Sequence, residues 1–193
     1  MFIMIRVAII GGIGSGKTFI SKLFGYPVFN ADKIVNKIYL KNKSIFIKLK
    51  KKFPGSFTRF PIKKEELIKT VLSNKKNIKK ISSIVHPVVT KDLNLFLSKN
   101  RKKKIVILDI PLFLENKLNK KDDIIIFVES NSIKSHSRIK KRKNYNKILF
   151  NRLKNLQLSL NHKKQKSNYV IKNNFRKVSA RKKVKDILRR ILA

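Results

Sequence analysis

The stretch Gly11-Gly12-Ile13-Gly14-Ser15-Gly16-Lys17-Thr18 has the residue types and spacing of G-x-x-x-x-G-K-[ST], an anion-binding loop. Glycines let the backbone turn tightly and aim several N–H groups into one concavity. The start of a following helix adds partial positive charge. In such a loop Lys17 reaches the β- and γ-phosphates of ATP, and the Thr18 hydroxyl ligates Mg²⁺. Phe19 is expected to add only its backbone N–H, on the α-phosphate side. The flanking sequence agrees. Ile5-Arg6-Val7-Ala8-Ile9-Ile10 reads as a buried strand, and Phe19, Ile20, Leu23 and Phe24 fall at helical spacing.

Four other places carry groups able to do chemistry. Asp32 follows the short strand Val28-Phe29-Asn30. Ligands of open α/β sheets bind beyond the carboxyl ends of parallel strands, so Asp32 is aimed at the same crevice as the loop. It can equally be the N-cap of a helix over Lys33 to Leu40. Asp109 ends the apolar run Ile105-Val106-Ile107-Leu108, where an acid holds Mg²⁺ directly or through water. Arg138 and Arg142 are four apart on one helical face. They suit a lid that closes over ATP and offsets phosphoryl charge, or a solvated basic face in a Lys-rich chain. His86 precedes Pro87, which suits the first position of a helix and pushes His86 out of helical geometry. A His there can cap or pack as readily as it can act on a substrate.

These groups need a scaffold, and the pattern along 193 residues supplies one. Further buried strands are expected at Ile124–Val128 and Tyr169–Ile171, giving five strands separated by helices. A βαβ pattern implies a mainly parallel sheet with right-handed crossovers. Residues 41–100 break this pattern. After the breakers Phe53-Pro54-Gly55-Ser56 and Phe60-Pro61 come three helical stripes with no strand between them. One carries Leu67, Val71 and Leu72, the next Ile78, Ile81, Ile84 and Val85, and the third begins after Pro87. Ser130 or Ser132 can cap the helix carrying the basic run Arg138, Lys140, Lys141, Arg142 and Lys143. Leu149, Leu153, Leu156 and Leu160 stripe the next helix, and Val178 to Leu192 a closing one. The expected organisation is a single α/β domain with a three-layer fold. Its core spans 1–40 and 101–193, with an inserted helical substrate lobe at about 41–100 and a helical lid at about 131–147.

Composition narrows the function classes. There is no cysteine, so disulfides and thiolate metal sites are excluded. The apolar start is too short to span a membrane and no small-residue cleavage site follows, which reads as a mature cytoplasmic N-terminus. The net charge of +39 would suit a polyanion partner. The lysines, however, are spread over almost every segment rather than gathered with arginine and aromatics on one face. No specific nucleic-acid partner is expected.

In order along the chain, these motifs resemble the dephospho-CoA kinase family, of the P-loop nucleoside-monophosphate-kinase-like fold. The loop at 11–18 resembles the family's loop. Asn30-Ala31-Asp32 resembles its Asp-Ala-Asp motif, Val85-His86-Pro87 its Leu-His-Pro, and Asp109 to Asn116 its Pro-Leu-Leu-x-Glu segment. Arg138 and Arg142 resemble the lid arginines, and Gln157 with Val170-Ile171-Lys172-Asn173-Asn174 resembles the C-terminal signature. The resemblance implies ATP-dependent phosphorylation of the ribose 3′-hydroxyl of dephospho-CoA, the last step of coenzyme A synthesis. It implies Asp32 as the base and Lys17 and Arg138 as the charges on the transferring group. It also implies Lys64 and His86 as substrate contacts. The chain departs from the pattern at Asn30, where the family has an acid, and at Ile68, where an arginine is common. The alternatives to this reading are another small-molecule kinase on the same fold and a basic nucleic-acid-binding NTPase.

Overall fold

The computed structural model describes residues 4–142 and 145–193. Lys143 of the basic run, Asn144 and that part of the expected lid lie outside the described residues.

Among the described residues five strands form one sheet: β1 (Ile5–Gly11), β2 (Val28–Asn30), β3 (Ile105–Asp109), β4 (Ile124–Ser130) and β5 (Tyr169–Asn173). Their order is β2-β3-β1-β4-β5, and every pairing is parallel. The continuous β-branched runs suit strands covered on both faces. Val7 to Ile9 and Ile105 to Leu108 are all fully buried. The register sets Asn30 directly beside Asp109 at the carboxyl ends of β2 and β3.

The chain divides into two units. The first comprises the residues up to Asn30, Lys99–Tyr145 and Leu153–Ala193. It contains the whole sheet, with α1 (Lys17–Leu23), α6 (Ser132–Lys140), α8 (Leu160–Gln165) and α9 (Lys177–Leu192). Its core joins Val7, Ile9, Ile107, Ile126 and Ile171 to Ile20 and Phe24 after the loop and to Ala180, Val184 and Ile187 of α9. The second unit is Ala31–Ser98 with Asn146–Arg152. It holds α2 (Ala31–Lys41), α3 (Lys43–Lys52), α4 (Lys64–Ser73) and α5 (Asn77–Lys99). Ile38, Ile45, Leu49, Phe53, Phe57, Val71, Ile81 and Val85 form its core. The Arg152 guanidinium donates to the Val71 carbonyl within this unit. The segment α7 (Lys147–Asn155) runs from the second unit into the first.

Several local expectations are corrected. The two stripes either side of Pro87 are one helix, α5, with the proline inside it. His86 and Pro87 lie on its exposed face. The missing N–H therefore costs one backbone bond at the solvent side, while Ile81, Val85 and Leu93 stay buried on the other. The helix α3 was not expected. Its signals were Asn42, whose side chain accepts from the Ile45 N–H, and the spacing of Ile45, Leu49 and Phe53. The leucine stripe from 149 to 160 breaks into α7 and α8. The Leu158 N–H is taken by Glu115 Oε1, and Ser159 caps α8 by accepting from His162 N. Asn131, not a serine, caps α6 by accepting from the Lys134 N–H. Asp32 is not an N-cap, because α2 begins at Ala31 and Asp32 lies in its first turn. Among the described residues no helix is long and apolar enough to cross a membrane.

Candidate active site

The loop between β1 and α1 is shaped by its glycines. Gly16 caps α1 with φ 90° and ψ 21°, a left-handed conformation that penalises any side chain. A Cβ there would lie 2.5 Å from the Asn173 amide nitrogen, and a Cβ on Gly14 would lie 2.6 Å from Ile139 of α6. The loop is thus wedged between α6 and the end of β5. Asn173, 4 % exposed, donates its amide N–H to the Ser15 carbonyl at 2.8 Å and accepts from the Phe175 N–H at 2.9 Å. Beyond β1, Lys17 Nζ donates to the Gly12 carbonyl at 2.9 Å and to the Gly11 carbonyl at 3.3 Å. Its ammonium is therefore held over the loop. Ile13 lies within this turn, and Phe19, 37 % exposed, follows it in α1.

The Thr18 hydroxyl donates to Asp109 Oδ2 at 2.7 Å. The same oxygen accepts the Asn30 amide N–H at 2.5 Å. Asp109 is 3 % exposed, so this carboxylate is fixed at the mouth of the loop. A hydroxyl and a carboxylate are hard oxygen donors, the set Mg²⁺ takes with waters and phosphate oxygens completing its shell. Among the described residues no three His, Cys, Asp or Glu cluster into a self-sufficient metal site. One protein carboxylate beside a phosphate loop fits a nucleotide-bound Mg²⁺.

Arg138, in the last turn of α6, places its guanidinium 4.6 Å from the centre of the Phe175 ring. A cation this close to a ring face is attracted to it. Phe175 holds φ 65°, so the turn after β5 presents the ring to α6. Arg142 lies in the exposed turn beyond α6, its N–H bonded to the Ile139 carbonyl. The structure thus brings together residues 11–18, Asp109 and Arg138 in the first unit. Asp32, Lys64 and His86 belong to the second unit and are exposed there, in the first turn of α2, at the start of α4 and on α5.

Three supports of this site carry roles that sequence reasoning did not assign. Asn173, named there only as part of the C-terminal signature, holds the loop, and Phe175 holds Arg138. The third is a buried ion pair. Lys163 Nζ of α8 meets Glu115 Oε1 at 2.6 Å, with side chains 3 % and 10 % exposed. This pair seats α8 so that a Cβ on Gly12 would lie 3.3 Å from Leu160. Next to it the Lys164 ammonium hydrogen-bonds Glu129 and holds that carboxyl below its ordinary range. The only advance signal for Lys163 was a lysine on the packed side of a short helix.

A parallel sheet with this loop between β1 and α1, and an acid ending the adjacent strand, defines a P-loop kinase fold. A dephospho-CoA kinase family model matches residues 5–178. A dephospho-CoA kinase of Wolbachia pipientis wMel is 35 % identical over 187 residues, covering 94 % of this chain and 95 % of that protein. The chain belongs to the dephospho-CoA kinase family. A solved structure from Thermus thermophilus superposes with a TM-score of 0.81 at 23 % identity, covering 98 % of both chains. A dephospho-CoA kinase from Campylobacter jejuni superposes at 0.64 with 21 % identity, covering 96 % of both. At those identities the two structures speak for the fold.

Proposed function

We propose that this chain transfers the γ-phosphoryl group of ATP to the ribose 3′-hydroxyl of dephospho-CoA, forming coenzyme A in the cytoplasm. The observation that carries the reading is the family match spanning the loop, the Thr18–Asp109 pair and Arg138 in one chain. The loop amides and Lys17 bind the triphosphate. Thr18 and Asp109 hold Mg²⁺, which when bound offsets charge on the β- and γ-phosphates. Arg138 and Arg142 form a lid that faces the transferring group.

Asp32 takes the proton of the acceptor hydroxyl. That oxygen forms the new bond to phosphorus as the bond to the β-phosphate oxygen breaks and ADP leaves. Its support is its place two residues beyond the carboxyl end of β2, exposed in the first turn of α2. Phosphoryl transfer depends on positioning and electrostatics, so few catalytic groups suffice. The helices of the second unit, with Lys64 and His86, bind the acceptor. The test is mass-spectrometric detection of coenzyme A from dephospho-CoA and ATP, against a panel of nucleosides and sugars as acceptors. Product from dephospho-CoA alone, lost in Asp32→Asn with ATP binding retained, supports the reading. Turnover of another acceptor in preference, or an unchanged kcat in Asp32→Asn, refutes the corresponding part.

A further inference from the structure

We infer that Asn30 is a positioning residue for the metal-binding carboxylate, a role that rests on the reading of Asp109 and Thr18 as Mg²⁺ ligands. Asn30 is the last residue of β2 and is paired in register with Asp109, so both side chains leave the sheet on the same face. The two meet at 2.5 Å. An ionised carboxylate only accepts hydrogen bonds, so the Asn30 side chain must present its NH₂ and not its carbonyl. The Thr18 hydroxyl lands on the same oxygen. Both described contacts of Asp109 therefore fall on Oδ2, which pins the carboxylate by one oxygen and turns Oδ1 to a different direction. Two donors from two separate segments fix the position of that oxygen.

The chemistry distinguishes this residue from an acid at the same place. A carboxylate at position 30 would face Asp109 as a second acid, leaving either two like charges in contact or one proton shared between them. The amide orients Asp109 without adding charge. Residues that orient a metal ligand by hydrogen bonding change metal affinity by about 10- to 100-fold when removed. Asn30→Leu keeps the volume and removes the donor, while Asn30→Ala removes both.

The experiment titrates Mn²⁺ into the full chain with ADP bound, read by electron paramagnetic resonance well below the unfolding temperature. Asn30→Leu and Asn30→Ala are both expected to raise the Mn²⁺ dissociation constant by about tenfold, with ADP affinity in the absence of metal unchanged. A merely structural role would lower the melting temperature and leave Mn²⁺ affinity alone. Wild-type Mn²⁺ affinity in Asn30→Leu would overturn the inference, whether or not Asn30→Ala binds weakly, since that pattern marks a packing defect. Asp109→Asn serves as the control. Undiminished Mn²⁺ binding in that variant would refute Asp109 as a ligand, whereas weakened binding there with intact binding in Asn30→Leu refutes Asn30 alone.

Discussion

Removing the ammonium of Lys163 should destabilise the first unit more than any exposed lysine would. Lys163→Met keeps most of the side-chain volume and leaves Glu115, 10 % exposed, facing the space its partner filled. Breaking a buried pair by deleting one partner costs about 3–5 kcal/mol, because a charge is left in a poorly solvated place. Glu115 still accepts the Leu158 N–H at 3.0 Å, which argues for the lower end, about 3 kcal/mol. For a chain of this length that is a fall in melting temperature of roughly 6–12 °C. Converting both residues, as Lys163→Met with Glu115→Leu, should recover most of the loss, since an apolar pair of similar volume is often neutral against the ion pair. The loop should respond as well, because α8 carries Leu160 against Gly12, so KM for ATP should rise in the single variant. Denaturant unfolding of the three variants decides the matter. A single-variant cost below about 1 kcal/mol would show the pair behaving as a surface one. A double variant no more stable than the single would show that packing, not stranded charge, set the cost.

Three further predictions follow from particular residues. Gly16→Ala places a Cβ 2.5 Å from the Asn173 amide at φ 90°, so strain and the displaced Asn173–Ser15 bond should together cost about 2–3 kcal/mol; a melt within a degree of wild type, or intact ATP binding by calorimetry, would contradict this. Pro87→Ala restores the N–H missing inside α5 and should stabilise the second unit by about 1–3 kcal/mol, read by hydrogen exchange of the α5 amides; slower exchange is expected and faster exchange would refute it. Burial pushes the Tyr39 phenol up to about 12, so the folded chain keeps its proton where the unfolded chain has lost it. Stability from this group is complete below pH 10 and should fall as pH rises from about 10 to 12, by up to roughly 3 kcal/mol, and Tyr39→Phe should remove that part of the alkaline loss.

Much of the sheet could be read directly. Each strand is a short apolar run whose neighbours in the chain are turn or helix signals, and a buried parallel strand leaves that local mark. The loop was legible for a similar reason, since its glycines are required by its own backbone. Where two local signals competed, the reading failed. Pro87 outweighed the apolar stripe on paper, yet the folded chain keeps one helix because Ile81, Val85 and Leu93 bury one side and the proline faces solvent. The break between α7 and α8 was invisible because the group that stops the helix, Glu115, lies 43 positions away from Leu158.

The sequence by itself determined the strand and loop order, the glycine-rich loop at 11–18 and the acid at the end of β3, because each depends on neighbours within a few residues. Only the tertiary structure decided that Asn30 and Thr18 meet on one oxygen of Asp109, that Asn173 holds Ser15 from 158 positions away, and that Lys163 is buried against Glu115. Those contacts join segments that no period or motif links. They exist because the parallel register and the packing of α6 and α8 bring distant side chains within reach, and most buried polar groups are kept where such a partner waits.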